Sequence, residues 1–476
     1  MGDRQKPARA TGHLVEPATG KRLAVLKKQG LDAVRDAVRA SRVTQEAWAW
    51  TPLGERQACA RALGREIVDR ADGLADIVSR STGKTRLDAM ATDVFPGALM
   101  ASYYARIAPR VLNPRRLDRS SIMFFNKVSW LTRVPFGVIG IISPWNYPLS
   151  IPLHEVIPAL LAGNGVILKV ATQVQPVGEA IKEMVAAAGF PDGLFSIVHL
   201  PGREVGDALL ASGVDKIFFT GSTSAGRDLA AKAGKALVPV VLELGGNDAM
   251  IVLEDANLPR AAAGALWAGM SNAGQSCAGV ERVYVHAAAW EGFRRHLAEE
   301  VGKIRVGPDR DFDVEVGSLT SEQQKKKVVA ILRDALKKGA RVVAQAGSAA
   351  GLFHPVTVLE NATESMTAMC EEVFGPVISL QKVRSEAEAI RLANNSQYGL
   401  SASVWSRNRK RARQVADQLR ILPGRTAAKE FLPAVLQEST AQITWSWVAV
   451  QQALMRQRSR PVWEPGSLSW ILILNG

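Results

Sequence analysis

The chain has 476 residues, enough for two or more domains with buried cores, and its 47% hydrophobic and 22% charged residues exclude a disordered or fibrous protein. Its three cysteines, Cys59, Cys277 and Cys370, are too few for a disulfide framework and indicate a reducing, cytoplasmic location. A formal charge of +14 could suit nucleic acid, but no basic run alternates with aromatic residues, so we expect no nucleic-acid partner.

The sequence also argues against a membrane partner. The uncharged run over 135–154 is long enough to cross a bilayer, but Gly, Pro and Asn residues interrupt it. The first residues are charged and lack the apolar stretch of a secretory signal. We therefore interpret 135–154 as a buried strand, a turn and the start of a helix.

The first third of the chain is mostly helical by its pattern. Apolar residues at helical spacing predict helices over 28–47 and 55–79, the second opened by Pro52. Loose alternation over 121–136 predicts an extended ribbon.

From residue 137 onward, short apolar runs alternate with helical segments. The predicted strands are VIGIIS at 138–143, VILKV at 166–170, LFSIVHL at 194–200, KIFFTG at 216–221 and VPVVLELGG at 238–246. The helices predicted between them cover 152–162, 176–189, 203–212 and 224–235. Continuous apolar strands separated by helices predict a parallel sheet with covered faces, as in dinucleotide-binding α/β folds.

The alternation continues to about residue 420 and then stops. A strand at 249–254, a helix at 257–273, a strand at 283–286 and a helix at 288–303 predict a second α/β lobe. Residues 421–476 contain no Asp, one Lys and four of the eleven Trp, without a strand–helix rhythm. This tail differs in composition from everything before it.

Two motifs carry candidate reactive groups. Cys277 in NAGQSCAGVERV is a candidate nucleophile, although a single cysteine is more often a small core residue. Glu243 lies in the apolar strand VVLELGGN, where a buried carboxylate needs a reason. That reason is either a general base with a raised pKa or a structural ion pair.

Three further positions could bind a substrate or a nucleotide. Asn146, between two prolines in SPWNYPLS, is a rigid amide that suits an oxyanion site, or an ordinary turn residue. The turn FFTGSTSAGR resembles a phosphate loop but lacks its Lys and its Ser or Thr, which excludes an ATPase of that type. Lys169 near the end of a buried strand could reach a ribose or phosphate. No residue spacing indicates a metal site.

Taken together, the motifs resemble the aldehyde dehydrogenase family over about residues 12–420. PFGVIGIISPWNYPL, VILK, FFTGSTSAGR, LELGGND, GQSC and EEVFGPV occur in the family's order and spacing. The resemblance implies an α/β fold with a Rossmann-type cofactor domain, an α/β catalytic domain and a small β oligomerisation arm. The implied boundaries are 1–115 and 136–245 for the cofactor domain, 116–135 for the bridging ribbon, 246–420 for the catalytic domain and 421–476 for the atypical tail.

The resemblance also implies an activity, the NAD(P)-dependent oxidation of an aldehyde to a carboxylic acid. Cys277 would attack the aldehyde to form a thiohemiacetal and then a thioester, and Asn146 would hold the developing oxyanion. Glu243 would activate water for hydrolysis. A related phosphate-reductase-like branch would be expected to lack this Glu.

Other site residues are implied by position. The implied cofactor contacts are Trp145, Lys169, Thr172, Gly221, Ser222, Glu372 and Phe374. The implied substrate tunnel contains Tyr147, Ile151, His154 and Ser276. Arg282, five residues after Cys277, does not establish an acidic substrate.

Two departures from the family pattern matter. The usual K-P-x-E reads Lys169 to Thr172 here, and loss of the Glu, which repels a 2′-phosphate, makes NADP as well as NAD a plausible cofactor. The tail after Ile421 lacks the family's last strand and substrate-mouth loop, which suggests a frameshifted or replaced terminus. The family forms homodimers or homotetramers, and this tail puts such assembly in doubt. The alternative function is an inactive or unstable relative that at most binds nucleotide.

Overall fold

The computed structural model describes residues 12–117, 128–309 and 311–420. The strands are β1 (His13–Val15), β2 (Arg22–Val25), β3 (Arg115–Arg116), β4 (Trp130–Leu131), β5 (Val138–Ser143), β6 (Gly165–Val170), β7 (Phe195–Ile197), β8 (Lys216–Thr220), β9 (Val240–Glu243), β10 (Asp248–Val252), β11 (Val280–His286), β12 (Arg341–Ala346), β13 (Val356–Glu360), β14 (Val377–Val383) and β15 (Ala402–Trp405). The helices are α1 (Leu31–Trp50), α2 (Leu53–Asp69), α3 (Ala71–Thr82), α4 (Arg86–Ala89), α5 (Phe95–Leu112), α6 (Ser150–Leu161), α7 (Gln175–Ala187), α8 (Gly202–Ala211), α9 (Thr223–Lys235), α10 (Leu258–Met270), α11 (Trp290–Val301), α12 (Glu322–Lys337), α13 (Thr367–Cys370), α14 (Glu386–Asn394) and α15 (Arg409–Ala416).

The first sheet is parallel throughout and has the order β7-β6-β5-β8-β9. Every residue of β5 and β6 is buried, because helices cover both faces of a sheet built from crossover connections. The chain order reverses between β5 and β8, and ligands of open α/β sheets bind beyond the carboxyl ends of the strands at such a point. Asn146 follows β5, and Gly221 and Ser222 follow β8.

The second sheet has the order β12-β13-β14-β11-β10-β15. Its pairs are parallel except that of β12 with β13 at the edge. Its core includes Phe293, Val283 and Ile378, which are fully buried. Glu243 ends the last strand of the first sheet and Asp248 begins the second sheet, so only four residues separate the two.

Two small antiparallel pairs lie outside these sheets. β1 pairs with β2, and β3 pairs with β4. The second pair falls in the predicted ribbon, of which residues 118–127 lie outside the described part of the chain. Trp130, Leu131 and Val134 near it are exposed apolar side chains.

The predicted α/β fold with parallel sheets is confirmed, and the differences are local. The predicted helix 55–79 was wrong as a single element, because the chain breaks at Arg70 between α2 and α3. The predicted strand 194–200 pairs over only three residues, and the β1–β2 hairpin was not predicted. The domain boundaries stay predictions, and the predicted atypical tail, 421–476, lies outside the described residues.

No helix within the described ranges is long and apolar enough to cross a membrane. The uncharged run at 135–154 instead forms β5, a turn and the first part of α6, as its Gly and Pro residues predicted.

Candidate active site

Cys277 follows a tight turn with an unusual backbone. Asn272, Ala273 and Gly274 all have left-handed conformations, with φ values of 55°, 54° and 70°. A Cβ on Gly274 would lie 2.1 Å from the carbonyl oxygen of Gly375, so this position requires glycine. Consecutive left-handed residues are strained and cluster at functional sites, which fits a loop built to present a half-buried thiol.

The Asn146 side chain contacts this same loop. Its Nδ2 donates to the carbonyl oxygen of Gln275 at 3.2 Å, and the residue is only 3% exposed. The Asn146 carbonyl oxygen accepts from Asn272 Nδ2 at 2.8 Å. Thus the structure brings Asn146 beside the loop that carries Cys277, although the two lie 131 residues apart in the sequence.

A buried ion pair supports the Asn146 loop. Lys84 Nζ donates to Asp93 at 2.8 Å and to the Asn146 carbonyl oxygen at 2.7 Å, and both charged side chains are fully buried. Asp93 also accepts from the backbone N–H groups of Leu149 and Ser150 at 3.0 and 3.1 Å. Asp93 lies in a five-residue π-helical turn between α4 and α5, a rare distortion that often marks functional sites.

Sequence reasoning missed this pair. Lys84 lies in the loop between α3 and α4 and Asp93 in the π-helical turn, both beyond residue 79, where the predicted helix ended, and no local pattern indicated a contact with residue 146. The available signal was the Gly83–Lys84 step after a predicted helix, followed by an Asp whose role the sequence did not explain.

Glu243 ends β9 beside the Cys277 loop. A Cβ on Gly246 would lie 2.3 Å from the Cys277 carbonyl oxygen, so the Gly-Gly pair after Glu243 allows the two backbones to touch. Burial raises the pKa of the Glu243 carboxyl to about 8. Its Oε1 is buried and has no hydrogen-bond partner among the described residues. A carboxyl with these properties can act as a base near neutral pH.

The Cys277 thiol is neutral in this environment. Burial and then the nearby Glu243 charge raise the pKa of the thiol to about 12. Thiolate is the nucleophilic form, so reaction requires a base to take the thiol proton or a cation nearby.

The Lys169 amine lies at the carboxyl end of β6 on the predicted cofactor side. Lys169 is 5% exposed, bonds to no described side chain, and burial lowers the pKa of its amine to about 8. Gly202, at the start of α8, approaches it, since a Cβ there would lie 3.4 Å from Lys169 Nζ. Thr172 is exposed at the start of a short 3₁₀ turn. An unpartnered buried amine beside an exposed hydroxyl fits the ribose and phosphate groups of a nucleotide.

The turn after β8 presents a helix N-terminus. Ser222 caps α9, with its hydroxyl accepting from the backbone N–H of Ala225 at 3.4 Å. Gly221 packs closely against the Phe219 ring, since a Cβ on residue 221 would lie 2.8 Å from a ring atom. Free N–H groups at a helix N-terminus suit a pyrophosphate.

Three further predicted cofactor residues, Glu372, Phe374 and Trp145, lie close to one another. Glu372 Oε1 accepts from the backbone N–H of Gly246 at 3.0 Å. The rings of Trp145 and Phe374 pack edge to face with centroids 5.5 Å apart. Buried Glu281, which sequence reasoning missed, fixes this loop by accepting from the backbone N–H groups of Val373 and Phe374.

The four predicted tunnel residues cluster less completely. Tyr147 is buried and hydrogen-bonds the Ser276 hydroxyl, next to Cys277. His154 lies one turn further along α6 than Ile151 and contacts the Tyr104 hydroxyl at 3.2 Å from Nδ1. Burial lowers the pKa of His154 to about 4, so its ring is neutral at physiological pH.

Two remaining expectations concern Arg282 and metals. Arg282 is 3% exposed, donates from Nε to the Asn247 carbonyl oxygen at 2.9 Å and bonds the Tyr284 hydroxyl, so its guanidinium serves the fold. Within 12–117, 128–309 and 311–420, no group of His, Cys, Asp or Glu side chains could hold a metal ion.

Comparison with known proteins gives a consistent result. The sequence profile of the aldehyde dehydrogenase family matches residues 5–422. A Mycolicibacterium smegmatis protein with the provisional name succinate-semialdehyde dehydrogenase [NADP(+)] is 38% identical over 415 residues, covering 87% of this chain and 80% of that protein. The 4,4′-diapolycopene aldehyde oxidase of a Methylomonas species is 37% identical, covering 85% and 76%.

A solved structure agrees with both. Succinic semialdehyde dehydrogenase from Streptococcus pyogenes, in complex with NADP+, superimposes with a TM-score of 0.81 at 28% identity, covering 86% of this chain and 89% of that one. The family match ends at residue 422, close to the point where the sequence pattern stops.

Proposed function

This chain belongs to the aldehyde dehydrogenase family, and on that premise we propose that Cys277, Asn146 and Glu243 carry out its chemistry. The activity is the oxidation of an aldehyde to a carboxylic acid with NAD(P)+ through a covalent cysteine adduct. Bound NAD(P)+ supplies the hydride acceptor. The alternative of an inactive relative is not favoured by any of these relatives.

In the first half-reaction, Cys277 attacks the aldehyde carbon. The Asn146 amide stabilises the negative charge that develops on the aldehyde oxygen, a role supported by its bond to the Gln275 carbonyl oxygen in the Cys277 loop. The resting thiol is neutral and loses its proton on attack; Glu243, whose charge acts on the thiol, assists this transfer but is needed mainly for the hydrolysis that follows.

In the second half-reaction, water hydrolyses the thioester. Glu243 takes a proton from the water, and its partner-free Oε1 is available for that bond. The raised pKa makes this carboxyl a better base than an ordinary Glu once it is ionised. The observation that carries the proposal is that the loop of Cys277 accepts a bond from the Asn146 side chain and is closely approached by Gly246, three residues after Glu243.

An absorbance assay at the reduced-nicotinamide band, with a panel of aldehydes and both cofactors, tests this function. Cys277→Ala is the control variant. Activity in the wild type that is lost in Cys277→Ala supports the proposal. Folded wild-type protein without activity would instead support the inactive alternative.

We further propose that the enzyme uses NADP. The exposed Thr172 carries no charge that would repel a 2′-phosphate, and Lys169 and Arg203 are near Gly202 to attract one. Replacing Thr172 with Glu should lower kcat/KM for NADP and leave that for NAD unchanged or higher. Strict NAD use by the wild type contradicts this proposal.

For the substrate, we propose mainly apolar aldehydes. Tyr147, Ile151, Ser276 and a neutral His154 offer no positive charge to a substrate carboxylate. Comparing kcat/KM for medium-chain alkanals with that for succinic semialdehyde tests this, and a clear preference for the semialdehyde would contradict it.

We also propose a cytoplasmic homodimer or homotetramer joined partly through the β3–β4 ribbon. Trp130 and Val134 are 60% and 78% exposed, which favours their burial by a second subunit. Light scattering of the purified chain measures this directly, and a clean monomer contradicts it.

A further inference from the structure

Glu155 is a buried carboxyl that has no role in the aldehyde oxidation proposed for Cys277, Asn146 and Glu243. It lies in α6 and is 1% exposed, among fully buried neighbours such as Leu153, Val156 and Ile157. Placing a carboxyl in such an environment is costly unless it is satisfied by partners or has a function.

The partners of Glu155 are few. Its Oε1 accepts from the Thr220 hydroxyl at 3.2 Å, while its Oε2 is buried and has no hydrogen-bond partner in the described part of the chain. No basic side chain in the described ranges forms an ion pair with it. An ionised carboxylate offers about four acceptor sites, so a single hydroxyl cannot stabilise the charged form. Burial accordingly raises the pKa of Glu155 well above its usual range, which favours the protonated form.

Glu155 is also close to Glu243. Thr220 ends β8 and is the direct neighbour of Glu243 on β9 in the parallel register. The hydroxyl that bonds Glu155 therefore belongs to the residue beside Glu243, and the Glu243 charge contributes to the raised pKa of Glu155. Each of the two carboxyls has one buried oxygen that bonds to none of the residues the structure describes, Oε2 of Glu155 and Oε1 of Glu243.

We propose that Glu155 is a second carboxyl of the hydrolytic site, and that its Oε2 and the Oε1 of Glu243, neither of which has a partner among the described residues, bind the attacking water between them. This inference rests on the proposed roles of Cys277 and Glu243. Two nearby carboxyls with one proton between them are an established arrangement for activating water.

The step balances without any further reactant. The water oxygen bonds to the acyl carbon while one water proton passes to Glu243, and Glu155 keeps its proton and orients the water. Collapse of the tetrahedral adduct breaks the C–S bond, and the proton on Glu243 passes to the Cys277 sulfur. The carboxylic acid product then leaves.

A purely structural role predicts something different. If the Glu155–Thr220 bond only joined α6 to β8, its loss would disturb formation and hydrolysis of the acyl-enzyme alike, since Asn146 and α6 share one segment. The proposal predicts that hydrolysis alone slows.

Ester turnover without nicotinamide separates the two steps. With p-nitrophenyl acetate, the initial burst of p-nitrophenolate measures acylation of Cys277, and the steady rate measures hydrolysis. In Glu155→Leu we expect the burst to stay within about twofold while hydrolysis falls roughly 10- to 100-fold, less than the loss of a complete general base. Glu155→Gln, neutral and similar in shape to the protonated acid, should restore hydrolysis to within a few-fold of wild type.

Hydroxylamine provides the decisive control, because this strong nucleophile needs no base to attack the thioester. It should restore turnover of Glu155→Leu to near the wild-type value. If Glu155→Leu does not fold, Glu155→Asp keeps a carboxyl but withdraws it from the water, and it should show the same selective loss.

Three results separate the outcomes. Wild-type hydrolysis in both Glu155→Leu and Glu155→Asp would overturn the proposal. A parallel loss of burst and hydrolysis that hydroxylamine does not relieve would overturn it as well, in favour of the structural role. Ester turnover that persists in Cys277→Ala would instead overturn the proposed role of Cys277.

Discussion

Around Cys277 the backbone is fixed by hydrogen bonds from distant parts of the chain, whereas Glu243 and Glu155 each keep a buried carboxyl oxygen that has no partner within 12–117, 128–309 and 311–420. The Asn146 side chain donates a hydrogen bond to the loop of Cys277. The Asn146 carbonyl oxygen in turn accepts one from Lys84, which forms the buried ion pair with Asp93. The difference suggests that the geometry for attack on the aldehyde is built in advance, while the carboxyls are left available for a reacting water.

We therefore expect substitutions around the Cys277 loop to act mainly by lowering the stability of the folded protein. We expect Lys84→Met to lower the free energy of unfolding by about 3–5 kcal/mol, because it leaves Asp93 buried and without its counter-charge. Chemical denaturation measures this.

Lys232→Met is the matched control for that variant. Lys232 pairs with Asp207 and Asp228 on the surface, where removing an ion pair costs about 1 kcal/mol or less. Equal losses in the two variants would mean that the buried pair does not support the thiol loop.

The oxyanion role of Asn146 predicts the next largest effect. Asn146→Ala should lower kcat by about 10²–10³, the usual cost of losing one oxyanion donor. The burst of reduced nicotinamide should slow with it, since the loss is in the first half-reaction. A normal burst followed by slow turnover would place Asn146 on the hydrolytic side instead.

The left-handed turn before Cys277 can be tested with glycines. Gly274→Ala should cost about 1–2 kcal/mol of backbone strain plus about 1–3 kcal/mol for the clash with Gly375. Gly213→Ala, at φ +78° with open space around it, should cost the strain alone. Denaturant midpoints compare the two variants. Equal losses of stability would show that the close contact between positions 274 and 375 adds no cost.

The smallest effect is a pH dependence on the carboxyl side. Because burial raises the pKa of Glu243 to about 8, hydrolysis should rise with pH and level off above about pH 8. The same group binds more protons folded than unfolded, so its contribution to stability is full below its usual pKa and is lost as pH rises through about 8. Glu243→Gln should remove both dependences, and an unchanged pH profile in that variant would assign them to another group.

Much of the fold was accessible from the sequence because the strands are continuous apolar runs. VIGIIS at 138–143 was predicted with the bounds that β5 has in the structure. Arg70 was missed as a break, since apolar residues recur at helical spacing on both sides of it.

The site was predictable where a residue stands in a family motif and not elsewhere. Glu155 lies in a segment correctly predicted as helix, but nothing in the sequence indicated that its side chain reaches Thr220, 65 residues later. Lys84 and Asp93 were missed for the same reason, because their partners are distant in sequence and a π-helical turn has no readable pattern.

The central proposal is that an acyl group forms on Cys277 and that Glu243 and Glu155 promote its hydrolysis. Mass spectrometry of Glu243→Gln, quenched after mixing with an aldehyde and NAD(P)+, tests this directly. We expect an acyl adduct on the peptide that contains Cys277, and none in Cys277→Ala. An adduct on Cys59 or Cys370, or none at all in a protein that still reduces the cofactor, would contradict it.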